Sequence, residues 1–178
     1  MFEETRNKLE EFEEDLDHRQ KKLYSSFKFL IKLLLLSIPL YILLYIEWDP
    51  VMLRSFKASV VGQIVSFLGL EIEQYSTFVV TERFTLDVTR DSTAWKSMLA
   101  VAALVLATEF RWKKKIKGAV IGVVFVFVVN IIRISSMIFM VIVLGFSYEM
   151  VHTFLWRWGL TFFIFLYWYF WLIKERKS

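Results

Sequence analysis

The chain has 178 residues, 57% hydrophobic and 18% aromatic, with 22 Lys and Arg against 18 Asp and Glu and a mean hydropathy of +0.50. Soluble domains run at about 45–50% apolar, so this composition and its long apolar runs exclude an ordinary soluble enzyme and indicate an integral membrane protein. The net charge of +4 sits in short clusters that read as membrane orientation rather than nucleic-acid binding, cysteine is absent, and no zinc-type Cys/His pattern or glycine-rich phosphate loop implies a metal or organic cofactor.

The first 24 residues are highly charged and predict an amphipathic cytoplasmic helix over Glu3 to Leu23 rather than a cleavable signal peptide. Phe2, Leu9, Phe12, Leu16, Leu23 and Phe27 form a narrow apolar stripe, supported by Glu4–Lys8, Asp15–Arg19 and Asp17–Lys21 pairs. The first membrane span is expected from Phe27 to Ile46, with Lys28 and Lys32 snorkelling at its start and a kink at Pro39. Val51 to Leu70 carries Arg54 and Lys57 beside a stripe of Leu53, Phe56, Val60, Ile64 and Phe67, which predicts an interfacial or re-entrant helix. The period then changes: Phe84, Leu86 and Val88 alternate with Thr85, Asp87 and Thr89, a strand signal, with Phe78-Val79-Val80 as its hairpin partner.

A second span is expected from Thr93 to Phe110, where Ala100, Ala102, Ala103 and Ala107 allow close helix packing. The basic run Arg111–Lys117 follows, then a third span over Gly118–Leu144 and a fourth over His152–Ile173, before Lys174-Glu175-Arg176-Lys177. Placing the three basic clusters inside gives four spans, both termini cytoplasmic, and an outward-facing 47–92 segment. The fold class expected is therefore an all-α integral membrane protein with a short outer β-hairpin, organised as a helix over 1–25 and one membrane domain over 26–178.

The third span contains Asn130 and Arg133 among Val, Ile, Phe, Met and Leu. A charge near mid-bilayer costs roughly 3 kcal/mol unless it is paired or hydrated, and arginine cannot escape by losing its proton. Arg133 lies about 11 residues, or roughly 16 Å, below the outer end of its span. Asn130, three residues earlier, shares its helix face and could orient the guanidinium or a substrate carbonyl. Ser92, at the outer end of span two, and His152, at the outer start of span four, fall on the same side. A helix starting near Thr93 would point free N–H groups at position 92 and favour negative charge there. That setting acidifies a thiol but helps a serine far less, because an alkoxide needs a strong base.

Asp91-Ser92-Thr93-Ala94-Trp95-Lys96-Ser97-Met98, Asn130-Ile131-Ile132-Arg133-Ile134 and His152 with Gly159 downstream resemble the exosortase/archaeosortase family of membrane transpeptidases. The resemblance covers roughly residues 75 to 160. That family has a Cys followed by Ser or Thr and a small residue before a span, Asn-x-x-Arg in a later span, and His or Arg at the start of the next. Serine stands here at the nucleophile's position. Either Ser92 is native, or a Cys→Ser change has disarmed the chain; the intact remainder of the motif favours the change. The resemblance implies that a Cys at 92 attacks a peptide carbonyl, Arg133 stabilises the thiolate or oxyanion, His152 protonates the leaving amine, and Asn130 supports them. It also implies substrates that are exported proteins with a C-terminal signal of membrane helix plus basic tail, passed to a lipid or other amine acceptor at the outer membrane face.

Each residue also has a plainer reading. Ser92 alone would be a helix N-cap, His152 an interfacial side chain, and Arg133 the partner of Asp87 or Asp91. Lys96 and Arg157 could line an outer pocket or snorkel, and the Phe162–Trp171 run reads as lipid-facing or packing surface. Three rival functions remain: a signal-binding pseudoenzyme with native Ser92, a small transport subunit using Asn130 and Arg133, and a serine protease for which Glu149 is the near acidic candidate.

Overall fold

The computed structural model describes residues 16–81, 85–154 and 159–177. Its elements are α1 (His18–Leu36), α2 (Ile38–Tyr45), α3 (Val51–Phe67), β1 (Ile72–Tyr75), β2 (Phe78–Thr81), β3 (Thr85–Asp87), a 3-10 turn (Asp91–Thr93), α4 (Trp95–Leu106), α5 (Trp112–Ile142), α6 (Tyr148–Phe154) and α7 (Leu160–Lys177). The described chain is mostly helical, with one small sheet.

Asp17 caps α1 through a capping box with Gln20: Asp17 Oδ1 accepts from the His18 N–H at 2.6 Å, and Gln20 Oε1 accepts from the Asp17 N–H at 2.9 Å. The helix then runs unbroken past Leu23 to Leu36, so it merges the end of the expected N-terminal helix with the first span; residues 1–15 of that expected helix lie outside the described residues. The break predicted at Pro39 appears two residues earlier. Ser37 donates its hydroxyl to the Leu33 carbonyl at 2.8 Å and separates α1 from α2, whose first turn holds the proline. Together His18–Tyr45 make 28 residues with none of the apolar stretch buried.

The expected α3 appears at Val51–Phe67, but its buried face is Lys57, Ala58, Val61, Gly62 and Val65. Phe56 and Phe67, assigned above to the apolar stripe, are 56% and 91% exposed. This is the arrangement expected of an interfacial helix, whose large apolar side chains turn away from the protein while small residues let the backbones approach. The sheet pairs β2 with β3 antiparallel, Val79 opposite Leu86, and adds a strand absent from the reading above, β1, on the other side of β2. Leu86 and Val88 turn inward as the alternation predicts. With Ala58, Val61 and Val65 of α3 and Ile131, Ile134 and Ile138 of α5 they build one apolar core.

Helix α5 is the axis of the fold, touching α3, α4, α6 and α7. Its buried face descends Gly118, Gly122, Val126, Asn130 and Ile134, while Val120, Ile121, Val124, Val128 and Ile132 face outward. A Cβ on Gly118 would come within 2.4 Å of the Trp171 indole, and one on Gly122 within 2.7 Å of the Tyr167 ring. Tyr167 also donates its hydroxyl to the Gly118 carbonyl at 2.6 Å. These contacts bring α7 against α5.

Two described stretches, His18–Tyr45 and Trp112–Ile142, are long and apolar enough to cross a membrane. The expected second span is shorter than predicted: α4 has 12 residues, about 18 Å against a hydrocarbon core of about 30 Å. Its predicted first residue, Thr93, belongs to the 3-10 turn instead, because Ala94 adopts a left-handed φ of 57° that stops helix growth toward the N-terminus. Within the expected fourth span the described residues give α6 and α7, and residues 155–158 lie outside the described residues. The basic run after Arg111 forms the first turns of α5.

Candidate active site

The turn between β3 and α4 is where the chemistry-bearing residues gather. Arg54, read from sequence only as a charge on an interfacial helix, ties this turn to α3. Its Nε donates to the Val88 carbonyl at 2.8 Å, and its two terminal nitrogens pair with Asp49 at 2.7 Å and Asp87 at 3.2 Å. Thr77 adds a hydroxyl to Asp87 at 2.9 Å. The end of the sheet is therefore fixed before the chain reaches position 92.

Ser92 folds back on Thr89. Its N–H donates to the Thr89 carbonyl at 3.1 Å and its hydroxyl donates to the same oxygen at 2.7 Å. Thr93 repeats the device one residue on, donating its hydroxyl to the Arg90 carbonyl at 2.7 Å. Such local bonds stabilise a turn in place of a helix. They also bear on position 92, since a thiol is a weak donor and would hold the Thr89 carbonyl less firmly than a hydroxyl does. Ala94, buried and left-handed, then reverses the chain into α4.

Two side chains grip the turn from below. Asn130, fully buried on α5, donates Nδ2 to the Ser92 carbonyl at 2.8 Å. This contact with the backbone of residue 92 was not among the roles expected of Asn130 from sequence. Lys57, fully buried on α3, donates Nζ to the next carbonyl, that of Thr93, and lies 4.7 Å over the Phe127 ring. In α3, which is not one of the spanning stretches, burial pushes the Lys57 ammonium down to about 7, and the positive charge of Arg133 acts in the same direction. Sequence reading missed Lys57 as part of the site. The signal was its place beside Ala58, Val61 and Gly62, the small-residue face that packs inward.

Ser92, Arg133 and His152 line one cavity of about 360 Å³, together with Asp87, Asp91, Thr89 and Tyr148. Arg133 reaches it from α5, among the buried Ile134 and Met137. His152 reaches it from α6 and stacks on Tyr148, ring centroids 5.4 Å apart. The carboxylates considered as partners of Arg133 have other cations: Asp87 pairs with Arg54, and Asp91 with Lys96 at 2.7 Å. A second cavity of about 470 Å³, lined by Lys96, Ser97 and Thr161, shares Asp91 and Arg133 with the first. Arg157 lies outside the described residues. Glu149, the acidic candidate for a serine protease, is exposed on α6. Toward the other end of α5 the buried face is covered by Trp171 and Tyr167, packed over Gly118 and Gly122.

The arrangement can place a nucleophile at position 92, a positive charge and an imidazole around one cavity. That set suits acyl transfer: a group that attacks, a charge for the oxyanion, and an imidazole as the acid/base. A family profile described as Transmembrane exosortase (Exosortase_EpsH) matches residues 19–173, most of the chain. Neither a curated protein nor a solved structure matches it.

Proposed function

The chain belongs to the transmembrane exosortase family, and from that membership and the cavity around position 92 we propose that it is a membrane-embedded transpeptidase for C-terminal sorting signals, held inactive by serine at the nucleophile's position. The observation that carries this reading is the shared cavity of Ser92, Arg133 and His152. These residues come from three separate elements and otherwise have no reason to meet.

In the active form, the Cys thiolate at 92 attacks the carbonyl carbon of the scissile peptide bond. The carbonyl electrons move to oxygen, and Arg133 stabilises the oxyanion with a preorganised positive charge. The intermediate collapses to a thioester as the C–N bond breaks, and His152 gives its proton to the departing amine. An acceptor amine then attacks the thioester, His152 takes its proton, and the C–S bond breaks to regenerate the thiolate with a new amide formed. Asn130 keeps the turn of residue 92 in place. Water in the acceptor's role would give plain proteolysis.

We place the cavity on the extracytoplasmic side, with both termini and the Arg111–Lys117 cluster in the cytoplasm and four helical regions crossing or entering the bilayer. The substrate's membrane helix lies beside the bundle and presents its outer end to the cavity, with its basic tail inside. The acceptor is a lipid or other amine. A second reading, a native signal-binding pseudoenzyme, is favoured by the complete hydrogen bonding of Ser92 to Thr89. Processing assays separate the two: the Ser92→Cys form should shorten a sorting-signal substrate by the mass of its C-terminal helix, and the present chain should not. Processing by neither form across substrates that both bind would favour the pseudoenzyme.

A further inference from the structure

A fully buried lysine under the turn is not used in the acyl-transfer chemistry just described. Its burial calls for a reason. An ammonium taken out of water is costly unless its donors are satisfied, and a methionine of nearly the same shape would fill the space at no such cost. The partner of Lys57 is a backbone carbonyl, Thr93 O, one residue beyond the carbonyl held by Asn130. Adjacent carbonyls of one short turn are thus held by side chains from two different helices. The turn needs such support because it ends in Ala94 at φ 57°, a conformation unfavourable for a residue with a Cβ.

We propose that Lys57 is a positioning residue of the acyl-transfer site: with Asn130 it clamps the 92–93 backbone so that the side chain at 92 stays directed into the cavity beside Arg133. The inference rests on the transpeptidase reading for its catalytic consequence, but its geometric content stands apart. The Phe127 ring on α5 lies 4.7 Å from the ammonium, so the clamp couples α3 and α5 to the turn between the sheet and α4. A shift of about 1 Å at a nucleophile is enough to cost about a hundredfold in rate.

The test is made in the full-length Ser92→Cys form in detergent, using Lys57→Met, which keeps the shape and removes the donor. Two quantities are read: the rate at which iodoacetamide alkylates the thiol at position 92 at pH 7, which needs no substrate, and kcat and KM for signal cleavage. The expected result is alkylation slower by about tenfold and kcat lower by about thirtyfold at an unchanged KM, with the unfolding midpoint no lower than the parent's. Lys57→Gln, which restores a donor without the charge, should recover part of both losses. A purely structural lysine predicts alkylation and kcat like the parent's in Lys57→Met, and that result overturns the proposal. If Lys57→Met does not fold, Lys57→Gln is read alone: alkylation slowed by about threefold or more supports the clamp, and a parent-like rate overturns it. Slowed alkylation without cleavage by any form would sink the transpeptidase reading while leaving the clamp intact.

Discussion

Replacing Arg133 by Ala in the Ser92→Cys form should lower kcat for signal cleavage by about 10²- to 10³-fold and leave the protein as stable as its parent or more so. Two physical terms set the sign of each part. In the reaction, a preorganised cation at the developing oxyanion is worth most where water is scarce, and its removal leaves the thiol without a fixed counter-charge. In the fold, a cation held among Ile134, Met137 and the apolar residues of α5 carries a desolvation cost, and deletion relieves it. Arg133→Lys should fall near the alanine variant, because a compact ammonium lacks the planar fork that can meet two oxygens at once. Single-turnover cleavage and thermal unfolding in the same detergent measure both halves. Normal cleavage with lowered stability would assign Arg133 to architecture.

Gly118→Val should give the largest loss of stability of any single change on α5, at least about 2 kcal/mol. The site has no room: the first added carbon would overlap the Trp171 indole at 2.4 Å, and the neighbouring Gly118 carbonyl already accepts the Tyr167 hydroxyl. Trp171 is itself buried against Ala119 and Val105. Displacing α7 would also move Leu160 and Thr161, which border the second cavity at Arg133. The control is Val120→Leu on the outward face of the same helix, where the side chain is 58% exposed and the unfolding midpoint should not change.

The chemistry was more legible than the packing. Position 92, Asn130, Arg133 and His152 stand out in sequence because polar groups in apolar runs are costly, so their positions carry information that the surrounding Val and Ile do not. Three of them line one cavity, and the fourth holds the backbone of the first. Their roles were harder to read. Asn130 sits three residues from Arg133, which suggested a shared task, yet its amide holds the Ser92 carbonyl, a contact set by where the turn lies in space. On α3 the sequence showed the apolar stripe but not the face that packs: Phe56 and Phe67 turn outward, while Lys57, Ala58 and Gly62 pack inward, because small residues there let the backbones approach. Strand β1 escaped notice because Ile72-Glu73-Gln74-Tyr75 buries almost no surface and exists by pairing with β2. The length of α4 could not be read at all, since the local bonds of Ser92 and Thr93 and the left-handed Ala94 decide where it begins.

The measurement that bears most directly on the acyl-transfer account is the intact mass of the Ser92→Cys form after brief exposure to a sorting-signal substrate with the acceptor withheld. An adduct is predicted whose mass equals the substrate's portion up to the scissile carbonyl, bound through the sulfur at position 92, removed by hydroxylamine, and absent from the serine chain. Cleavage of the substrate with no adduct on that sulfur, or an equal rate of cleavage by the serine chain, would contradict it.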